Sequence, residues 1–304
     1  MPSDGAREPL VAILLATFDG AAWIDEQLAS FERQQGVRLF VIAGDDASSD
    51  DTPERLRAWS SKLDVTLLPA PSRLGSANRT FLRLICDAPI PDGAEYIALS
   101  DQDDVWCDDK LVRAVRAIGE RGLDVYSSDV TAFWPDGRRR TLGKANAPRR
   151  FDYVFEPAGP GCTYVFTRKA FDGLREFSRT RRERLVDLRV HDWWIHAYAR
   201  VRGLRWWIDP RPGLLYRQHG ANESGANVGW AAAKRRWADV REGRFRRDAI
   251  AVARAVDDPS EIARLLERFG PFDRLRLALA ARHCRRRPLE ALLLACFHLI
   301  ARRT

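Results

Sequence analysis

The feature that most narrows what this chain can fold into is an alternation, over its first 120 residues, of short apolar runs with segments of helical period. VAILLAT (11–17), RLFVIA (38–43), VTLLPA (65–70) and YIALS (96–100) read as strands. Between and after them, apolar residues recur at helical spacing: Ile24, Leu28 and Phe31; Leu56, Trp59 and Leu63 behind a Thr52-Pro53 start; Phe81, Leu82 and Ile85; Leu111, Val115 and Ile118. Such a β-α-β-α series builds a parallel sheet with helices on both faces, and ligands of these sheets bind beyond the carboxyl ends of the strands. The expected fold class is α/β, with a mostly parallel central sheet. At 304 residues and 45% hydrophobic content the chain can bury the core this requires.

Each strand of the series releases polar residues in the same sense. Thr17-Phe18-Asp19 follows the first, Gly44-Asp45-Asp46-Ala47-Ser48 the second, and Ser100-Asp101-Gln102-Asp103-Asp104 the fourth, so three acidic loops share one sheet edge. Carboxylates this dense repel one another and lose solvation when covered, so they lie on a wet surface or gather around a cation. Neither G-x-G-x-x-G nor G-x-x-x-x-G-K-S/T stands at the first strand-to-helix turn, which disfavours a dinucleotide or P-loop site and leaves phosphates dependent on a metal. Asp101 and Asp103 alternate along an extended segment and point to one side, a disposition suited to Mg²⁺ or Mn²⁺ completed by a diphosphate. A solvated acidic turn has the same sequence, and the buried strand leading into it is what favours function. Asp45-Asp46 offers acceptors for a base N–H or ribose hydroxyls, or a helix-entry loop capped by Ser48, Ser49 and Thr52.

After residue 123 the rhythm becomes mixed: LDVYSSDVTAFW, a Pro135-Asp136-Gly137 turn, GCTYVFTR (161–168), a helical HDWWIHAYARV (191–201), then RWWID and GLLYRQH. Asp192 in a first helical turn stabilises the helix dipole, but a carboxylate beside apolar rings also suits a base that deprotonates a hydroxyl. In Tyr216-Arg217-Gln218-His219, an imidazole is a common metal ligand and Arg217 could meet phosphate, although a lone His is more often structural. Trp106 reads as packing.

The formal net charge of +8 is concentrated late: residues 229–304 carry 18 Lys plus Arg against 9 Asp plus Glu, leaving about −1 for the rest. This suggests a near-neutral body and a basic helical C-terminal region, which either meets an anionic membrane surface or nucleic acid or packs its helices on the body with its arginines solvated. Against nucleic acid, the region has no helix-turn-helix or aromatic RNA-binding motif, and the acidic strand ends would repel phosphate. Five cysteines without a C-x-x-C pair fit reduced thiols. With neither a signal peptide nor a membrane-spanning run recognisable, the expected location is cytoplasmic, either free or peripheral at the inner face of the membrane.

Taken together, VAILLATFDGAAWIDEQLASF, VIAGDDASSDDT, RLGSANRTF, ALSDQDDVWCDDKL, GCTYVFTR, HDWWI and LLYRQHGAN resemble, in order over about residues 9–225, the inverting family 2 glycosyltransferases of GT-A fold, and most closely their bacterial rhamnosyltransferase-like branch. Two departures are Phe18-Asp19 for the usual Tyr-Asn and Ala47 where glycine is frequent. The resemblance implies a GT-A domain over 1–228, with a nucleotide-sugar half (1–122) and an acceptor half (123–228), followed by the region 229–304. It implies Asp192 as the general base; Thr17, Asp45, Asp46, Asp101, Arg79 and Arg217 at the nucleotide sugar; Asp101, Asp103, Asp104 and His219 at the metal; and His191, Trp193 and Trp194 at the acceptor. The implied activity is metal-dependent transfer of L-rhamnose from a dTDP donor to a bacterial surface glycan or lipid-linked oligosaccharide. A UDP-hexose donor is the alternative within the fold, and a non-catalytic nucleic-acid- or glycan-binding protein the alternative outside it.

Overall fold

The computed structural model describes residues 7–69, 72–220 and 243–301. Its first half follows the expected alternation: β1 (Leu10–Thr17), α1 (Ile24–Glu32), β2 (Arg38–Asp45), α2 (Thr52–Ala58), β3 (Val65–Leu68), α3 (Ala77–Asp87), β4 (Ala94–Ser100), a two-residue β5 (Val105–Trp106) and α4 (Lys110–Arg121). β1 pairs in parallel with β2 and with β4, so Thr17, Asp45 and Ser100 reach the same edge. Residues 11–15 of β1 are fully buried. Ala12, Leu14 and Ala16 face one apolar cluster, while Val11, Ile13 and Leu15 face the other. Burial on both faces is why this strand reads as an unbroken apolar run.

The second half contributes β6 (Val125–Ser128), β7 (Val130–Phe133), β8 (Arg139–Leu142), β9 (Val165–Thr167), α5 (Arg168–Thr180), α6 (Arg182–Leu185), α7 (His191–Val201), β10 (Trp206–Asp209) and β11 (Leu214–Arg217). The main sheet has the order β10-β6-β9-β4-β1-β2-β3, and a smaller one the order β5-β11-β7-β8. β9 lies antiparallel between β4 and β6, the one reversal in the larger sheet. α5 was not anticipated by the sequence reading because RKAFDGLREFSRT looks polar. Ala170, Phe171, Leu174 and Phe177 nevertheless form its buried stripe, and Thr167 caps its first turn.

The described part of the basic region forms α8 (Arg244–Ala255), α9 (Glu261–Arg268), α10 (Pro271–Ala280) and α11 (Pro288–Ile300), with breaks near Asp258-Pro259, Gly270-Pro271 and Arg287-Pro288, where proline cannot continue a helix. It is packed on the body rather than standing apart from it. Val252, Ile262, Leu266, Phe269 and Phe297 belong to the same apolar cluster as Trp193 and Trp194. The expected boundary at residue 228 lies outside the described residues. Nor are all its arginines solvated: Arg286 is buried, 3.2 Å from Glu156 and 3.5 Å from Asp152. Arg286→Met should therefore destabilise the fold by about 3–5 kcal/mol, because both carboxylates stay buried with a partner removed. Urea denaturation measures this, and a loss under 1 kcal/mol would refute the clasp.

Candidate functional site

At the carboxyl edge, the first two strand ends are tied by their own polar groups. Thr17 Oγ1 donates to Asp45 Oδ1 (2.8 Å), and Ser48 donates to the same carboxylate through Oγ (2.6 Å) and its amide (2.8 Å). Asp46 turns the other way and accepts from the amides of Leu74 and Gly75, fixing the loop ahead of α3. Asp45 is thus a strut beneath the edge, whereas Asp46 and Thr17 line the cavity above it.

The acidic loop is fixed by its amide residue. Gln102 accepts from Phe18 N and donates to Phe18 O, both at 2.8 Å, clamping the end of β4 to the end of β1. Gly20 admits this clamp, since a Cβ there would lie 2.2 Å from Gln102 Oε1. Asp101 and Asp103 line the cavity; Asp104 is fully buried behind it. His219 Nε2 sits 2.7 Å from Asp103 Oδ2, and its ring stacks on Trp23 at 3.9 Å between centroids. Asp104 accepts from Arg217 N (3.2 Å) and donates its own amide to Gln27 (2.8 Å). Burial, reinforced by the charges of Asp103 and Asp101, pushes its carboxyl well above the usual range.

Two groupings here could hold a cation, and they differ. Ligand atoms of Asp101, Asp104 and Cys162 lie within 4.8 Å of one another, but burial holds the Cys162 thiol protonated, and a thiol is a poor partner for Mg²⁺ or Mn²⁺. Asp101, Asp103 and His219 line the cavity and offer the oxygen and imidazole donors that suit such an ion, although among the described residues only the first grouping has its ligand atoms that close together.

The other cavity wall comes from the start of α7 and the turn before β9. Asp192 lines the cavity while its Oδ1 is closed off from solvent, with no hydrogen-bond partner among the described residues. Burial raises its carboxyl from 3.8 to about 7, against a smaller lowering by the Lys144 ammonium. His191 lies stacked on Phe81 at 4.0 Å, and burial pushes its imidazole down to about 3, so it is neutral. Gly161 leaves room for it: a Cβ there would fall 2.2 Å from His191 Nε2. The cavity measures about 520 Å³, within the range of small-molecule sites.

Of the residues expected at the ligand, the structure brings Thr17, Asp46, Asp101, Asp103, His191, Asp192 and His219 together around this cavity. Others it places elsewhere. Arg79 donates to Val186 O (3.3 Å) and to Asp187 (2.9 Å), joining α3 to the loop after α6. Arg217 gives its Nε to Asp103 O (2.8 Å) and packs over Phe133, bracing the acidic loop from behind. Trp193 and Trp194 turn into the core, donating to Tyr153 O (3.0 Å) and Asn78 Oδ1 (2.9 Å), because the i+1 and i+2 positions of a helix face away from Asp192. Among the lining residues that escaped sequence reasoning are Trp23, Arg189 and Arg73, the last with its guanidinium 4.3 Å over the Phe18 ring. Arg73 stands in a polar loop with no periodicity to mark it, and Trp23 just precedes the helical stripe that starts at Ile24, where nothing in the sequence sets it apart.

The family model described as glycosyl transferase family 2 matches residues 12–183, more than half of the chain. The chain belongs to glycosyl transferase family 2. Consistent with this, it is 35% identical, over 91% of its length and 96% of the relative's, to the dTDP-rhamnosyl transferase RfbG of Shigella flexneri. Among solved structures it resembles S. aureus TarS 1-349 in complex with UDP-GlcNAc (TM-score 0.60, 14% identity, 88% of this chain and 72% of that one). It also resembles the mannosyltransferase PcManGT of Pyrobaculum calidifontis in complex with GDP-Man and Mn²⁺ (TM-score 0.51, 20% identity, 98% and 77%). The fold is GT-A, and the protein is a nucleotide-sugar-dependent glycosyltransferase.

Proposed function

We propose that this enzyme transfers L-rhamnose, with inversion, from dTDP-rhamnose to a hydroxyl of a bacterial surface glycan or lipid-linked oligosaccharide, at the cytoplasmic face of the membrane. The observation that carries the reading is that a carboxylate of raised basicity, Asp192, shares one cavity with the acidic edge formed by Asp46, Asp101 and Asp103. The name of the Shigella relative supports the donor.

Asp101, Asp103 and His219 would hold a divalent cation, Mn²⁺ or Mg²⁺, which when bound supplies positive charge to the diphosphate oxygens of the leaving nucleotide. The chain's own groups do the rest. Asp46 and Thr17 face the nucleotide, and Gln102 keeps the acidic loop in register with Phe18. Asp192 takes the proton of the acceptor hydroxyl as that oxygen bonds to the anomeric carbon from the face opposite the departing diphosphate. One bond forms as the other breaks, so the configuration inverts without a covalent enzyme intermediate. His191, neutral and wedged between Phe81 and Gly161, helps shape the acceptor side.

TarS binds UDP-GlcNAc, so a UDP-hexose donor is the second reading. Thermal shifts with dTDP-rhamnose and with UDP-hexoses, each with Mn²⁺ or with EDTA, separate the two. A ligand at about 100 times its Kd stabilises the folded state by about 2.7 kcal/mol. We expect the shift with dTDP-rhamnose and its loss in EDTA; a shift with UDP-hexoses alone would overturn the donor assignment.

A further inference from the structure

The large apolar side chains that the described residues leave exposed all sit on α10 and α11, among them Phe272 (82%), Leu279 (71%), Leu289 (68%) and Leu292 (61%). On α11 the exposed positions 289, 292, 293, 296 and 300 recur every three or four residues and form one stripe, while Ala291, Leu294 and Phe297 on the other side are buried in the core. On α10, Phe272, Leu275 and Leu279 do the same opposite the buried Leu277. Arg274 donates to His298 O (2.8 Å) and to Leu299 O, so both stripes belong to one fixed hairpin. A contiguous apolar face of this kind marks an interaction surface.

We propose that this hairpin docks on an anionic lipid bilayer. Charge selects that occupant. Residues 271–301 carry six arginines against Asp273 and Glu290, a balance of +4. Both carboxylates are already answered, Asp273 by Arg268 (2.9 Å) and Glu290 by Arg285 (3.0 Å), while Arg276, Arg282 and Arg287 stand exposed beside the apolar stripes. No helix among the described residues is long and apolar enough to cross a membrane. The hairpin therefore lies in the interface plane, with leucines toward the acyl chains and arginines toward the headgroups.

The inference rests on the membrane-side acceptor proposed above and gives that reading a physical surface. Arg285, in the turn between the two helices, donates to Phe155 O (2.7 Å), Arg286 donates its amide to Glu156 (2.9 Å), and Arg287 donates to Gly143 O. The turn thus grips the segment 143–156, which runs on into Pro160 and Gly161 of the cavity wall. Docking would hold the acceptor side of the cavity at a fixed attitude to the lipid.

The test is co-sedimentation of the full chain with vesicles of phosphatidylcholine, alone or with phosphatidylglycerol. Binding to the anionic vesicles should exceed binding to the neutral ones by about tenfold or more and fall as salt is raised. The pair Leu292→Glu/Leu293→Glu should weaken it at least ~10-fold, and Arg276→Glu/Arg282→Glu should remove the preference for anionic lipid. All four positions are exposed, so the fold and the thermal shift with donor and Mn²⁺ should stay unchanged. No sedimentation with anionic vesicles, or binding indifferent to the leucine pair, would overturn the proposal. So would a dimer, seen by light scattering and abolished by the leucine pair, without lipid binding. Because donor turnover is read separately, its absence with vesicle binding intact refutes the catalytic reading alone.

Discussion

Asp192→Asn should lower sugar transfer by about 10²–10⁴-fold while leaving donor binding intact, because the amide keeps the shape of the carboxylate but cannot accept the acceptor's proton. The wild-type rate should also fall about tenfold per pH unit below about 7, where burial has placed the Asp192 carboxyl, and the residual rate of the variant should lack that limb. Stability moves in the opposite direction, and the sign is fixed by the raised value. The fold prefers the neutral acid, so the stability that the carboxyl contributes is complete below about 3.8 and is lost as the pH rises through about 7. The asparagine variant should therefore match the wild type near pH 4 and exceed it by roughly 1–3 kcal/mol at pH 8. Transfer assays and urea melts across pH measure both. Full transfer activity in the variant would remove Asp192 from the mechanism.

Asp103→Asn should abolish the Mn²⁺-dependent thermal shift with donor, a loss of affinity of about 100-fold or more, since this carboxylate is paired with His219 and, unlike Asp104, faces the cavity. Asp104→Asn should be milder, within about tenfold, because that carboxyl lies behind the wall and an amide oxygen can still accept from Arg217 N. The contrast decides between two neighbours of the same chemistry. If Asp104→Asn were the damaging change, the ion would belong to the Asp101–Asp104–Cys162 grouping instead.

Much of the fold was legible because the first four strands and their helices carry clean periods, and because Thr17, Asp45 and Ser100 each stand where an apolar run stops. The reversed β9 was not legible, since three residues of a buried strand look the same whichever way they run. α5 hid behind its exposed polar face. The arginines are ambiguous for a related reason. A guanidinium near an expected phosphate site and one holding a loop by its carbonyls have the same sequence context, and in the structure Arg79 and Arg217 donate to the carbonyls of Val186 and Asp103.

What the sequence determined by itself was the set of acids at one sheet edge, because strand period and parallel order leave those side chains no other place to go. The tertiary structure alone decided which of them face the cavity and how each carboxyl titrates. Neighbouring residues of one loop, Asp103 and Asp104, differ by which side of a packed wall they fall on. Asp192 gains its basicity from desolvation by segments far away along the chain. Burial of that kind is a property of three-dimensional packing, and no local pattern encodes it.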